Sequence, residues 1–225
     1  MIPLSDTIPH RNKPVITVSI IVVNFIVFFV ELFHGPGLKD FIRQWGLTPL
    51  YVSNSLLAMP QRILPFFTSM FLHGGWLHLI GNNWYLWIFA DNVEDKMGHF
   101  KFLLFYILCG LGAGALHYLT HSSSPLPTIG ASGAISGILG AYFFMFPSSR
   151  IYTLIPIFFF WDIIEIPAFF YLGIWFFMQF LNGIASIGID HFLGGVAWWA
   201  HIGGFLTGIA LLRLFVPGFR RRFIL

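Results

Sequence analysis

The stretch PTIGASGAISGILGAYF, Pro127 to Phe143, places a small polar residue, Ser132, between two glycines at the head of an apolar run. A serine there serves either packing or chemistry, and the surrounding sequence decides which. The chain has 225 residues, of which 57% are hydrophobic and 9% charged, with 28 Phe and 8 Trp. A soluble domain carries about 25% charged residues, so this chain cannot cover a water-facing surface. It reads as an integral membrane protein. The run from Ser132 to the residue before Pro147 then spans ~22 Å as a helix, short of a hydrocarbon core of ~30 Å. With one end held near Arg150, its N-terminus lies well below the opposite surface. The chain from Ser122 to Gly130, with Pro125 and Pro127, has to descend into the membrane as a loop. Irregular backbone at that depth is tolerated only when buried in protein or lining water. A cavity opening outward, with Ser132 at its floor, is the expectation.

Outward from this helix, apolar runs predict six spans at roughly 15–34, 76–93, 100–119, 131–147, 166–183 and 196–216. The fold class is an all-α polytopic membrane protein with a long external loop between the first two helices, 35–75. That loop mixes Leu56, Leu57, Met59, Ile63, Phe66 and Phe67 with polar residues and is expected in the bilayer interface. The window 151–161 is very apolar but short and contains Pro156, so it reads as interfacial or re-entrant, with a seventh span as the alternative. Arg11, Lys13, Lys96, Lys101, Arg150 and Arg220 to Arg222 fall on one side of six spans, and Lys39, Arg43 and Arg62 on the other. The positive-inside rule makes the first side cytoplasmic, with both termini there. The organisation is a short cytoplasmic segment 1–14, a helical domain 15–216 and a basic cytoplasmic tail 217–225, itself expected to be a simple anchor. The apolar run from Val15 continues to Phe33 without a cleavage site, so it is expected to be a retained helix and not a signal peptide.

The net charge of +3 is small and concentrated at the chain ends, which argues for orientation and against nucleic-acid binding. The single cysteine, Cys109, excludes an intramolecular disulfide. Polar groups inside spans usually mark a cavity or a site. They are His78, Asn82 and Asn83 in the second, with His73 just before it, Ser132 and Ser136 in the fourth, Gln179 and Asn182 in the fifth and His201 in the sixth. His78 and Asn82 lie one helical turn apart on one face. They form either an interhelical hydrogen-bond pair or a two-donor oxyanion clamp. Gly133 and Gly137 on one helix, and Gly204 and Gly208 on another, are small-xxx-small steps that allow close backbone approach. If these two helices pack together, Ser132 meets His201. Glu94 and Asp95 sit at the far end of the second helix, so a serine–histidine dyad without an acid is the economical reading.

At these residues the sequence resembles the rhomboid intramembrane serine proteases. GASG, Gly130 to Gly133, resembles the family's GxSG nucleophile motif. HLIGN, His78 to Asn82, resembles its HxxxN, and AHIGGFLTG, Ala200 to Gly208, its AHxxGxxxG. The resemblance extends from Val15 to Phe215. It implies a six-helix bundle that cuts other membrane proteins at or near the bilayer, without metal or other cofactor. It implies Ser132 as nucleophile, His201 as base, and His78, Asn82 and the Ser132 backbone N–H as oxyanion donors. Gly130, Gly133, Gly204 and Gly208 would allow the tight packing, and the fifth helix with about Ser186 to Gly195 would act as gate and cap. Two features depart from the pattern. Some members carry an aromatic four residues after the serine, on which the histidine stacks. Here Ser136 stands there, leaving Trp198 or a water to orient His201. A Trp-Arg pair found in the first loop of some members is missing, since Gln61 precedes Arg62 and Trp45 is distant. The absence of an appended soluble domain points, by analogy, to a prokaryotic cell-membrane form. Rival readings are a catalytically silent rhomboid-like protein that binds transmembrane clients, a small transporter using His78, Asn82 and His201, and a zinc enzyme, for which the HExxH spacing is missing.

Overall fold

The computed structural model describes residues 1–9, 11–157, 160–186 and 196–218. Its framework is six long helices: α1 (Val15–Phe33), α2 (Trp76–Met97), α3 (His99–Thr120), α4 (Ser132–Met145), α5 (Ala168–Ala185) and α6 (Trp198–Phe215). Each falls where an apolar run was read. Four of them, α1, α3, α5 and α6, are long and apolar enough to cross a membrane, and α2 joins them when counted with the bent segment Met59–Phe71 before it. At 14 residues, α4 is as short as its sequence implies. The chain is therefore a mostly helical, multi-pass membrane protein.

The burial pattern is that of a helix in lipid. On α1 the buried stripe is Thr17, Ile20, Asn24, Phe28 and Glu31, while Val22, Ile26, Phe29 and Phe33 face outward. Polar groups thus turn inward, where protein can pair them. Asn24 donates to the Asn83 side chain of α2 at 2.8 Å. Glu31 accepts the His73 backbone N–H on both carboxylate oxygens, at 3.0 and 3.2 Å. At the other end of α2, Glu94 accepts from the backbone N–H groups of Ile16 and Thr17, at 2.9 and 2.8 Å, and from the Thr17 hydroxyl. These are the unpaired first-turn donors of α1, and a negative charge beside them also suits the helix dipole. Glu94 is thus structural, and Asp95 likewise holds Asn12.

Between α1 and α2 the chain forms short helices at Leu38–Trp45, Pro49–Ser53, Met59–Ile63 and Pro65–Thr68. Arg62 donates to the Val52 carbonyl at 2.8 Å. In the described part of the segment 151–161, and in the polar N-terminus, the chain forms strands that the sequence reading did not include. Strands β1 (Ile2–Asp6), β2 (Arg150–Ile157) and β3 (Phe160–Pro167) form an antiparallel sheet in the order β1-β2-β3. Ile151 and Thr153 are buried while Tyr152 points out, the period-two pattern of a strand. Asp6 ties the sheet to the helices by accepting from Asn92 and Tyr142.

The central seam is α4 against α6. A Cβ on Gly204 would collide with the Gly133 carbonyl, and one on Gly208 with that of Gly137. The two glycine steps therefore face each other at backbone contact. This is the arrangement that brings the N-termini of α4 and α6 together.

Candidate active site

Ser132 opens α4 and His201 lies in the first turn of α6. The glycine seam fixes their separation: Ser132 Oγ is 2.8 Å from His201 Nε2. The other ring nitrogen, Nδ1, is 2.8 Å from Gln179 Oε1 of α5. The ring of Trp198 meets the imidazole edge-on at 6.4 Å, and that of Trp175 lies 5.9 Å away at 33°. Trp198 is thus beside His201, but it is Gln179 Oε1 that accepts the hydrogen bond of Nδ1. Ser136 donates to the Ser132 carbonyl at 2.7 Å.

The loop preceding α4 is held by protein at every stage. Leu47 and Thr128 form a bridge of two backbone bonds, at 3.0 and 2.8 Å. The Gly130 N–H donates to the Ser69 carbonyl at 2.8 Å. These bonds pair backbone groups of the loop with protein, as irregular chain packed among helices requires. Gly130 has φ +119°, and a Cβ there would stand 2.6 Å from His78 Nε2 and 3.5 Å from Asn82 Nδ2. The glycine therefore permits both the turn and the approach of these two groups. Any other residue would be strained and would fill the space beside Ser132.

His78 Nδ1 accepts from the Gly74 N–H at 3.3 Å. In the neutral imidazole the proton then sits on Nε2, the nitrogen beside Gly130. Asn82 is 6% exposed, and its Nδ2 is buried with no hydrogen-bond partner among the described residues. An orphaned buried donor costs about 1–3 kcal/mol, so its presence beside a serine calls for an explanation. The first N–H groups of α4 likewise have no intrahelical acceptor. A cavity of about 620 Å³ is lined among others by His78, His117, Gly130, Ser132, Trp198 and His201. Three kinds of donor thus converge beside a serine that is hydrogen-bonded to a histidine. Chemically this is a set for acyl transfer.

Two of the polar residues read from the sequence lie elsewhere. Asn83 pairs with α1, and Asn182 bonds the Met178 carbonyl of its own helix. His117 of α3 was missed. It lines the cavity and bonds Thr128 at 2.7 Å through Nε2. Its signal, an ionisable residue within an apolar run, was available, as it was for Asn24 and Glu31 of α1. Of the expected cap, residues 187–195 lie outside the described residues, as do 219–225 of the basic tail.

Fold and site together define a multi-pass helical membrane protein with a serine–histidine pair facing a cavity between its helices. Residues 60–218 match the Rhomboid domain family, and the chain belongs to that family. Rhomboid protease GluP of Bacillus subtilis (strain 168) is 33% identical over 144 residues, covering 63% of this chain and 26% of that protein. RHOMBOID-like protein 6, mitochondrial, of Arabidopsis thaliana is 31% identical over 228 residues, covering 87% and 67%. Presenilin-associated rhomboid-like protein, mitochondrial, of Mus musculus is 28% identical over 201 residues, covering 85% and 46%. The chain thus spans about a quarter of the length of GluP and two thirds of the Arabidopsis protein. Serine proteases and inactive members both occur in the family.

Proposed function

We propose that the protein is an intramembrane serine endopeptidase that cuts transmembrane segments of other membrane proteins. The observation that carries this is the 2.8 Å contact between Ser132 Oγ and His201 Nε2, both of which line the cavity. Ser132 Oγ attacks the scissile carbonyl while His201 Nε2 takes its proton. The oxygen gains negative charge, which His78 Nε2–H, Asn82 Nδ2–H and the Ser132 backbone N–H stabilise. The C–N bond then breaks, and the imidazolium returns the proton to the leaving amine. A water attacks the acyl-enzyme with His201 again as base, releasing the acid and regenerating Ser132. Binding of a client without cutting is the weaker reading, since both dyad members are present.

In this proposal all six long helices cross the bilayer, within a protease domain at 15–216, and both termini lie in the cytoplasm of a prokaryotic cell. The pairing of Asn12 with Asp95, and of β1 with β2, supports this orientation, because it gathers Arg11, Lys13, Lys96 and Arg150 at one end of the bundle. Cleavage of a generic transmembrane substrate in detergent is the test. Wild type is expected to cut, and Ser132→Ala to lose at least about 1,000-fold in rate. Equal cutting by both proteins would remove Ser132 as nucleophile. A wild type that neither cuts nor reacts with a fluorophosphonate would favour the client-binding reading.

A further inference from the structure

Among the described residues no carboxylate is bonded to the dyad, yet its histidine is not left unoriented. We infer that Gln179 is the positioning residue that sets the tautomer of His201 and aims its basic nitrogen at Ser132. This rests on the serine–histidine reading of the site.

The argument starts from what each atom can do. An amide oxygen only accepts hydrogen bonds. With Gln179 Oε1 2.8 Å from His201 Nδ1, the proton of the neutral imidazole has to lie on Nδ1. Nε2 is then the lone-pair nitrogen, and it is the one 2.8 Å from Ser132 Oγ. The opposite tautomer would set a lone pair against the Gln179 oxygen and leave a proton where a base is needed. Gln179 is 7% exposed, so little water competes for the bond. Glutamine differs from an acid in one respect. It fixes the tautomer without adding a charge that would hold His201 protonated, and a general base must be neutral before it acts. Here Trp175 and Trp198 flank the imidazole, but neither can choose between its nitrogens.

An ordinary interhelical hydrogen bond at this place would matter only for stability, at ~0.6–2 kcal/mol. The two roles separate in measurements that stability does not move. Protein labelled with ¹⁵N-histidine is compared as wild type and as Gln179→Leu, with His201→Ala identifying the His201 signals. The wild type is expected to show His201 protonated on Nδ1 at neutral pH, and Gln179→Leu to show loss of that single tautomer. In cleavage assays Gln179→Leu is expected to lower kcat on the order of 100-fold, the lower end of what a general base supplies, with KM within about twofold. Gln179→Glu keeps the shape, and its carboxylate favours the imidazolium, so the acidic limb of kcat/KM moves to higher pH. Should Gln179→Leu fail to fold, the pH profile of Gln179→Glu carries the test alone. An unchanged His201 tautomer in Gln179→Leu, or an unmoved acidic limb in an active Gln179→Glu protein, would overturn the assignment. The tautomer is read without catalysis. A wild type that does not cut but shows the Nδ1–H form would therefore count against the protease reading and leave the role of Gln179 standing.

Discussion

The two helices that meet at His201 from opposite sides are built in opposite ways. On α4 every residue from Gly133 to Tyr142 is buried. On α5 the buried residues are Ala168, Tyr171, Leu172, Gln179 and Gly183, and a broad apolar face including Phe170, Phe177 and Leu181 is turned outward. The first helix is held by backbone against backbone, through glycines. The second is held by side chains: Tyr171 with Tyr85 at 3.0 Å, Gln179 with His201, Trp199 Nε1–H on the Gly183 carbonyl, and Phe176 stacked on Phe205. The nucleophile thus sits on an element that cannot shift without unpacking the bundle. The group that orients the base sits on an element held by side-chain contacts. Since a hydrogen bond weakens steeply beyond about 3.2 Å, the orientation of His201 depends on α5 remaining docked.

A glycine exchange probes this contrast most severely. Gly208→Val would drive a side chain into the Gly137 carbonyl, and the only relief is to separate α4 from α6. The expected cost is about 3 kcal/mol or more, seen as loss of folded protein in a thermal unfolding assay and of the dyad with it. Gly183→Ala on α5 is the matched control. Its new methyl would meet the Ile202 Cδ1 at 3.1 Å, the movable end of a side chain. A gain of ~1 kcal/mol in helix propensity opposes that contact, so its melting temperature should stay near that of the wild type. Equal damage from both exchanges would erase the distinction between a backbone seam and a side-chain seam.

A smaller effect is expected where α5 is tied to α2. Tyr171→Phe removes one partner of the Tyr85–Tyr171 pair and leaves a half-buried hydroxyl with fewer partners. The destabilisation should be about 1 kcal/mol, measured as a shift in the unfolding midpoint. Should it match the damage of Gly208→Val, α5 would be fixed as firmly as α4.

The contrast between the two helices was only half legible in the sequence. The shortness of α4 follows from Ser132 and Pro147, and its contact with α6 from two facing glycine steps. Both signals are local or periodic. The partner of His201 was not readable in this way. Gln179 stood out as a polar residue in an apolar run, but its face of α5 is set by packing against α6. A uniformly apolar helix does not announce which side is inward. The sheet was missed for a different reason. The window 151–161, which takes in β2 and only the start of β3, read as interfacial or re-entrant around Pro156, and β1 pairs with a strand well over a hundred residues away. Glu94 was already too far along the second helix to serve the dyad, but its actual task, holding the first turn of α1, had no local signal.

The weakest perturbation bears on what covers the outer face of α5. Phe177 is 56% exposed and sits on the helix that carries Gln179. In water, a stripe of this kind would be an aggregation hazard. In a bilayer its neighbours are acyl chains, which are as apolar as the side chain, so no hydrophobic driving force holds it against protein. Phe177→Ala should therefore change stability in lipid by less than about 0.5 kcal/mol, as for a surface exchange. Its rate of cleavage should match wild type, because no contact with His201 or Gln179 is lost. A large loss of stability would mean that a protein surface covers this face of α5. The helix would then be as enclosed as α4, and the difference between them would lie in the isolated chain alone.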